Sequence, residues 1–389
     1  MDMGVLSGIR VVEFEAIGPG PFGAMLLADM GADVIRIDRP VAPGDLGPKM
    51  EGPRINVVGR GRRSVTLDLK KPEAREAALA LIERADVLIE GFRPGTMERL
   101  GLGPDAALAR NARLVYGRMT GWGQTGPMAD RAGHDLNYIA LSGVLSGIGA
   151  APDAKPTVPL NVVGDYGGGG MLLAMGVLAA LVHVKNGGTG QVVDAAMTEG
   201  AAQLGAIFWG LLASGNWREA RASNMLDGGA PWYDSYRTSD GQYMSVGPVE
   251  GRFYAELLQK LELADAGLPS QHDRKGWPRI RAALETAFAR RTRDEWTQVF
   301  EGSDACVAPV LNFTEAPSHP HNRARGSFVE VDGVIQPAPA PRFSATPSAL
   351  PRREPARGEH GAAALRDWGF DAETIDRLRL QGLGFQGAA

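Results

Sequence analysis

Residues 9–40, IRVVEFEAIGPGPFGAMLLADMGADVIRIDRP, decide the fold. IRVVEF is a short apolar run rich in β-branched residues and reads as a buried strand. EAIGPGP breaks it with a Gly/Pro loop that opens an apolar, periodic helix through MLLADMG. ADVIRIDRP then alternates as a second strand and stops at Pro40. The order repeats downstream. SVTLDL (64–69) reads as strand, KPEAREAALALIERA (71–85) as helix with Pro72 near its start, DVLIEGF (86–92) as strand, and ARLVYGRMTGWG (112–123) as strand and loop. Strands separated by helices of this length predict a parallel sheet covered by helices on its faces. The layout is Rossmann-like, yet no G-x-G-x-x-G follows the first strand, so a dinucleotide site is not supported.

Beyond NVVGDYGGGG (161–170) a long helix is expected through MLLAMGVLAALVHV (171–184), then the turn KNGGTGQ and the strand VVDAAM (192–197). MTEGAAQLGAIFWGLLASG (197–215) is helical in pattern and apolar on several faces, as a connection between two bodies would be. From PWYDSYRTSDGQYMSVGPVE (231–250) the texture changes to short strands around an SDG turn, followed by helices in 251–261 and 277–302. Residues 336–358 are proline-rich and expected to run extended, and a last helix is expected with Asp371 as N-cap and Gly382 beyond its end. No internal repeat is seen. The expected organisation is α/β: a large domain over 1–195, a linker helix over 196–225, a smaller α+β domain over 226–328, and a return segment over 329–389 associated with the large domain.

The net charge of −4 argues against a nucleic-acid or membrane-surface protein. A single cysteine, Cys306, excludes an intrachain disulfide and suits a reducing compartment, and DACVAPVL (304–311) reads as a buried thiol. Asp2, Arg10 and Glu13 interrupt what a signal peptide would need, and the apolar run 171–184 is too short to span a bilayer. A soluble cytoplasmic protein is expected, without membrane or nucleic-acid partners.

Four features could carry chemistry. Arg36, Arg39, Arg54, Arg60, Arg62, Arg63, Lys70, Arg93 and Arg99 crowd the first domain, several at the ends of predicted strands, where α/β folds bind ligands. Any one of them is an ordinary solvated residue, but together they suit a polyanionic small ligand, since guanidinium groups pair well with phosphate. His134 stands beside a glycine at a loop-to-helix junction, where backbone N–H groups point outward. Asp165 precedes four glycines that permit close backbone approach. It could cap the following helix or act as a base or nucleophile. Glu250 follows a strand of the smaller domain and alone would be an unremarked surface acid.

Taken in order, LSGIRVVEFEAIGPGP, GADVIRIDRP, DVLIEGFRPGTMERLGLGP, RMTGWGQTGP, AGHDLNYIALSG, NVVGDYGGGG, GQVVDAAM, NMLDGGAPWYD and DACVAPVL resemble the α-methylacyl-CoA racemases of the family III CoA-transferase superfamily over nearly the whole chain. The resemblance implies an interlocked homodimer of two-domain subunits acting on an acyl-CoA thioester. It carries the coenzyme contacts onto Arg39, Leu67, Asp68, Leu69, Lys70, Gly91, Phe92, Arg93, Arg99, Gly133, Asp135, Leu136, Asn137 and Tyr138. The catalytic pair becomes His134 and Asp165, with Glu250 of the partner subunit orienting the histidine. Racemising a carbon alpha to a thioester needs a proton removed from one face and another returned to the opposite face, which suits two groups rather than one. The enolate between those steps would be stabilised by backbone N–H groups near Asp135. No metal or redox cofactor is required, CoA being part of the substrate. The alternative within the superfamily is a CoA-transferase using Asp165 as nucleophile. Such enzymes generally lack the histidine of GHD, so His134 favours the racemase branch.

Overall fold

The computed structural model describes residues 4–40 and 55–380, so Arg54 and Gly382 lie outside the described residues. The chain divides into a larger unit, Met1–Ser142 with Leu160–Leu204 and Ala324–Ala389, and a smaller one, Gly143–Pro159 with Gly205–Arg323. Residues 143–159 thus group with the smaller unit, and the expected linker 196–225 is shared at Gly205, where one anticipated helix becomes two.

In the larger unit the elements run β1 (Arg10–Phe14), α1 (Pro19–Asp29), β2 (Asp33–Asp38), β3 (Arg62–Thr66), α2 (Pro72–Glu83), β4 (Val87–Glu90), α3 (Thr96–Arg99), α4 (Pro104–Arg110), β5 (Val115–Thr120), α5 (Asp135–Leu141), α6 (Leu172–Lys185), β6 (Gln191–Ala196) and α7 (Met197–Leu204). Among the described residues the strands form one parallel sheet in the order β3-β2-β1-β4-β5-β6. The order reverses between β1 and β4. At their carboxyl ends the chain leaves in diverging directions and opens the crevice that such sheets use for ligands.

Alternation along β1 sends Val11 to one face and Val12 to the other. Val11 packs with Val34, Ala24 and Leu27 of α1, and Leu173 and Val177 of α6. Val12 packs with Ile35, Leu88, and Leu81 and Ile82 of α2. Full burial of a residue such as Leu81 contributes about 1.5–3 kcal/mol. Pro72 opens α2 because its missing N–H lies where no intrahelical partner exists.

The glycine-rich stretch behaves differently from expectation. Val162–Met171 is a wide-turned π-helix that runs straight into α6, so Asp165 lies inside the helix rather than capping it. The continuous segment Val162–Lys185 is consequently 24 residues, long and apolar enough by length and composition to cross a membrane, where the run 171–184 alone was not. Half of its most apolar window is buried, and Leu173, Val177, Leu181 and Val184 lie in the core against the sheet.

The smaller unit contains α8 (Ala206–Ala213), β7 (Asp234–Arg237), β8 (Tyr243–Val246), α9 (Gly251–Lys260), α10 (Trp277–Phe288), α11 (Arg293–Phe300) and β9 (Val307–Pro309), the strands pairing antiparallel as β7-β8-β9. Its core is aromatic: Phe288 stacks on Tyr236 at 5.3 Å and meets Trp296 edge-on at 5.4 Å. Thr292 and Glu295 open α11 with a reciprocal capping box. Cys306 is exposed, contrary to the reading of its apolar neighbours; a left-handed backbone (φ 52°) turns it outward while Ala305 is buried.

After α12 (Pro320–Arg325) the chain returns as a hairpin, β10 (Phe328–Val331) and β11 (Val334–Pro337), then α13 (Gly361–Asp367) and α14 (Ala372–Leu380). Leu365, Ile375 and Leu378 complete the core on the α2 face, and the Asp371 carboxylate accepts the Thr374 amide at 2.7 Å as the N-cap of α14.

Candidate active site

The loops that follow β1 and β4 meet at the switch point: a Cβ on Gly91 would lie 3.2 Å from that of Ala16. Gly18 takes a φ of 76° just before α1, and a Cβ there would come within 3.5 Å of Asp165 Oδ2. The Asp165 carboxylate therefore sits over the crevice. It is held there by close backbone packing on two sides. A Cβ on Gly200 would run into the Gly168 carbonyl of the π-helix, and one on Gly170 would lie 2.7 Å from the Pro19 carbonyl. These glycines are required because helix meets helix at backbone distance.

His134 immediately precedes α5 and is exposed. Its backbone N–H donates to Asn137 Oδ1 at 3.1 Å, and its carbonyl accepts from Asn137 and Tyr138, so the helix start is fixed. Gly133 has to be glycine: a Cβ would lie 2.8 Å from the Tyr138 ring and 2.9 Å from Trp122, two rings that pack edge to face at 4.7 Å. The Tyr138 hydroxyl donates to the Gly133 carbonyl, closing the turn.

His134 and Asp165 are brought together in the larger unit, close enough to act on one another electrostatically. Burial raises the Asp165 carboxyl above the usual carboxylate range. A hydrogen bond from Asn161 Nδ2 at 3.0 Å opposes this, the Asp135 charge reinforces it, and His134 opposes it again. An upward shift populates the protonated acid nearer neutrality, as a proton donor needs. Burial and the Asp165 charge likewise raise Tyr138. Sequence reading missed Asn161. The signal was its spacing, four residues before Asp165, which a helix places on the same side. Glu250 lies in the smaller unit, exposed, at the residue preceding α9.

The remaining expected contacts fall into two groups. Arg39, Lys70, Gly91, Arg93 and Arg99 are exposed at the carboxyl ends of β2, β3 and β4 or just beyond, with Asp68, Leu69 and Phe92 half-buried among them and Leu136 and Asn137 exposed on α5. Leu67, Asp135 and Tyr138 are buried with their side chains turned inward, so a ligand could meet them only through backbone.

The basic cluster needs a larger correction. Arg36, Arg60, Arg62 and Arg63 face no ligand; they are buried or nearly so and paired inside the protein. Arg62, 1% exposed, gives Nε to Glu13 Oε2 at 2.9 Å and its other nitrogens to the Val58, Arg60 and Pro21 carbonyls. Arg60 binds Asp29, Gln336 and the Pro337 carbonyl, Arg36 binds Asp38 and Glu354, and Arg63 binds Asp33 and Asp367.

The family model for CoA-transferase family III matches residues 6–361. This chain belongs to that family. Family III relatives include the alpha-methylacyl-CoA racemases of Mus musculus and Homo sapiens, 46% and 45% identical to this chain, with 96% of each chain covered in both comparisons. Among solved structures, a CAIB/BAIF family protein from Brucella suis superposes with a TM-score of 0.79 at 27% identity, covering 94% of this chain and all of the other. The family III fold, a mixed α/β architecture with a parallel sheet, is therefore the fold of this chain as the sequence predicted.

Proposed function

We propose that the protein is an α-methylacyl-CoA racemase that interconverts the (R) and (S) forms of 2-methylacyl-CoA thioesters, with His134 and Asp165 as the two acid/base groups. Identity of 45–46% to the mouse and human racemases along 96% of the chain is the observation that carries the reading. The family III CoA-transferase alternative, with Asp165 as nucleophile, is not favoured by those relatives. In the forward direction one of the pair takes the alpha proton and the other returns a proton to the opposite face, and the roles exchange in the reverse direction. The raised Asp165 carboxyl suits the donor state, and the Asp135 and Leu136 amides at the start of α5, ahead of the first intrahelical bond from Asn137 to the His134 carbonyl, suit the enolate oxygen. The exposed basic residues after β2, β3 and β4 suit the coenzyme phosphates. CoA enters as part of the substrate, and the chemistry calls for no metal or redox cofactor.

The same reading includes a cytoplasmic homodimer in which Glu250 comes to the His134 imidazole from the partner subunit. Exposed apolar residues support a covered surface in each unit: Met171, Met175 and Val182 along the π-helix and α6, and Ile207, Trp209 and Leu212 on α8, where no residue is buried. The decisive experiment incubates the full chain with one enantiomer of a 2-methylacyl-CoA in heavy water and follows alpha deuterium together with the enantiomer ratio. Exchange with loss of optical purity is expected, reduced by about 10²–10⁴ in His134→Ala and in Asp165→Asn. CoA transfer to an added carboxylic acid without exchange would overturn it.

A further inference from the structure

Asp135 follows His134 directly and is 6% exposed, yet no cation pairs with it among the described residues. Its Oδ2 accepts two backbone hydrogen bonds from the helix that carries the catalytic acid, from the Gly164 amide at 2.6 Å and the Asp165 amide at 2.7 Å. Amides in the first turn of a helix lack partners within it, and a carboxylate at that end also meets the favourable end of the helix dipole. The contact is close: a Cβ on Gly164 would lie 2.6 Å from Asp135 Oδ2, so the glycine is what lets the carboxylate in.

We infer that Asp135 is a positioning residue for the reaction, its carboxylate gripping the Gly164 and Asp165 amides so that the two acid/base groups keep a fixed separation, and that it does not contact the coenzyme through its side chain. The inference rests on the reading of His134 and Asp165 as the acid/base pair. One residue couples both because its backbone continues from His134 while its side chain ends on the Asp165 amide. Its charge has a second consequence, since it acts with burial to raise the Asp165 carboxyl.

The other groups around Asp165 do not supply that effect. From α5 come His134, which acts in the opposite sense, and Tyr138. Asn161 donates a neutral hydrogen bond. Of the elements packed on the π-helix, α1 offers only Asp29, engaged by Arg60. The single carboxylate of α7, Glu199, is exposed, and α6 carries His183 and Lys185 in its last turn. Arg118 of β5 is taken by Glu90 and Glu98, and Asp194 of β6 accepts the Gln124 amide.

The test compares Asp135→Asn, which keeps an oxygen for the two amides and removes the charge, with Asp135→Ala, which removes both. Racemisation of one enantiomer of a 2-methylacyl-CoA is measured from pH 5 to 9, alongside thermal unfolding. Asp135→Asn is expected to fold, to keep KM near the wild-type value, and to move the limb of the kcat profile that belongs to Asp165 to lower pH. Asp135→Ala is expected to lose about 10²-fold in kcat with KM little changed, the loss that displacement of a catalytic group by about 1 Å brings. A raised KM with unchanged kcat in either variant would make Asp135 a coenzyme contact and overturn the inference. So would an unmoved pH profile in Asp135→Asn, a result that stands even where Asp135→Ala fails to fold. Asp165→Asn run in parallel separates the two ideas. If it retains exchange, the acid/base assignment falls; if it is inactive while both Asp135 variants behave as wild type, only the positioning role falls.

Discussion

Basic residues sit in two neighbouring regions of the larger unit, and their fates are opposite. Along β2, along β3 and just before it, Arg36, Arg60, Arg62 and Arg63 are paired inside the protein; three of them fasten the chain after residue 324 to the sheet, Arg36 to Glu354, Arg60 to Gln336 and Arg63 to Asp367, while Arg62 holds Glu13 of β1. Just past the strand ends, Arg39, Lys70 and Arg93 are exposed, and Lys70 and Arg93 form no ion pair among the described residues. A displacement of a few residues along a strand therefore separates a structural guanidinium from one free to meet a ligand. Position relative to the carboxyl end of the sheet decides, and the local density of charge does not.

Removing Arg62 gives the strongest contrast. Arg62→Met leaves Glu13 buried without its counter-ion, and about 3–5 kcal/mol of stability should be lost in urea unfolding. The double variant with Glu13→Leu should recover much of it, because replacing both partners by apolar groups removes the stranded charge. Retention of full stability by Arg62→Met would erase the distinction between the regions. At the strand ends, Arg93→Ala or Lys70→Ala should leave unfolding within about 0.5 kcal/mol of wild type. The expected cost is a rise in KM for acyl-CoA of about tenfold, equivalent to one charge-assisted hydrogen bond of about 1.5 kcal/mol, with kcat unchanged. A stability loss without a KM effect would place these residues with the fastening set.

The smallest effect is a dependence of stability on pH confined to the β3 edge. His360 Nδ1 accepts the Ser64 amide at 3.3 Å, and burial lowers the pKa of the imidazole. The unfolded chain then binds the proton more readily than the folded one, so the contribution of this site is intact above the ordinary histidine pKa of about 6.5 and is lost as pH falls below it. His360→Asn should flatten the stability profile between pH 7 and 5. An unchanged slope would show that the edge does not report on this group.

Much of the sheet was legible because buried parallel strands are nearly continuous apolar runs, as in RVVEF and VLIE, and because Pro72 and Asp371 mark helix starts through local chemistry. What escaped depended on distant partners. The glycines of 167–170 read as lying ahead of the long helix, with Asp165 free to cap it, because glycine is a poor helix former, yet backbone-close packing against α1 and α7 demands glycine within the helix there. The inward arginines read as a ligand patch since tertiary packing, not local sequence, brings up most of their acids: Asp29, Asp33 and Glu13 are tens of residues away and Glu354 and Asp367 some three hundred. At the site, GHD marked the position of His134 and Asp165 stood out by its glycines. The turn of the Asp135 carboxylate toward the π-helix had no sequence signal, being fixed only by how α5 meets that helix.

The fastening of residues 324–380 onto β2 and β3 has a bearing on how the chain is made. Domains tend to fold as they leave the ribosome, amino terminus first. Here the sheet can pair its strands once residue 196 has emerged, but the outer edge of β3 and the apolar face that receives Leu365, Ile375 and Leu378 stay uncovered until those later residues have emerged. During that interval the nascent chain presents an open strand edge of the kind that recruits other strands. A chain ending at residue 323 is expected to accumulate in inclusion bodies, and supplying 324–389 as a separate polypeptide during expression is expected to restore soluble protein.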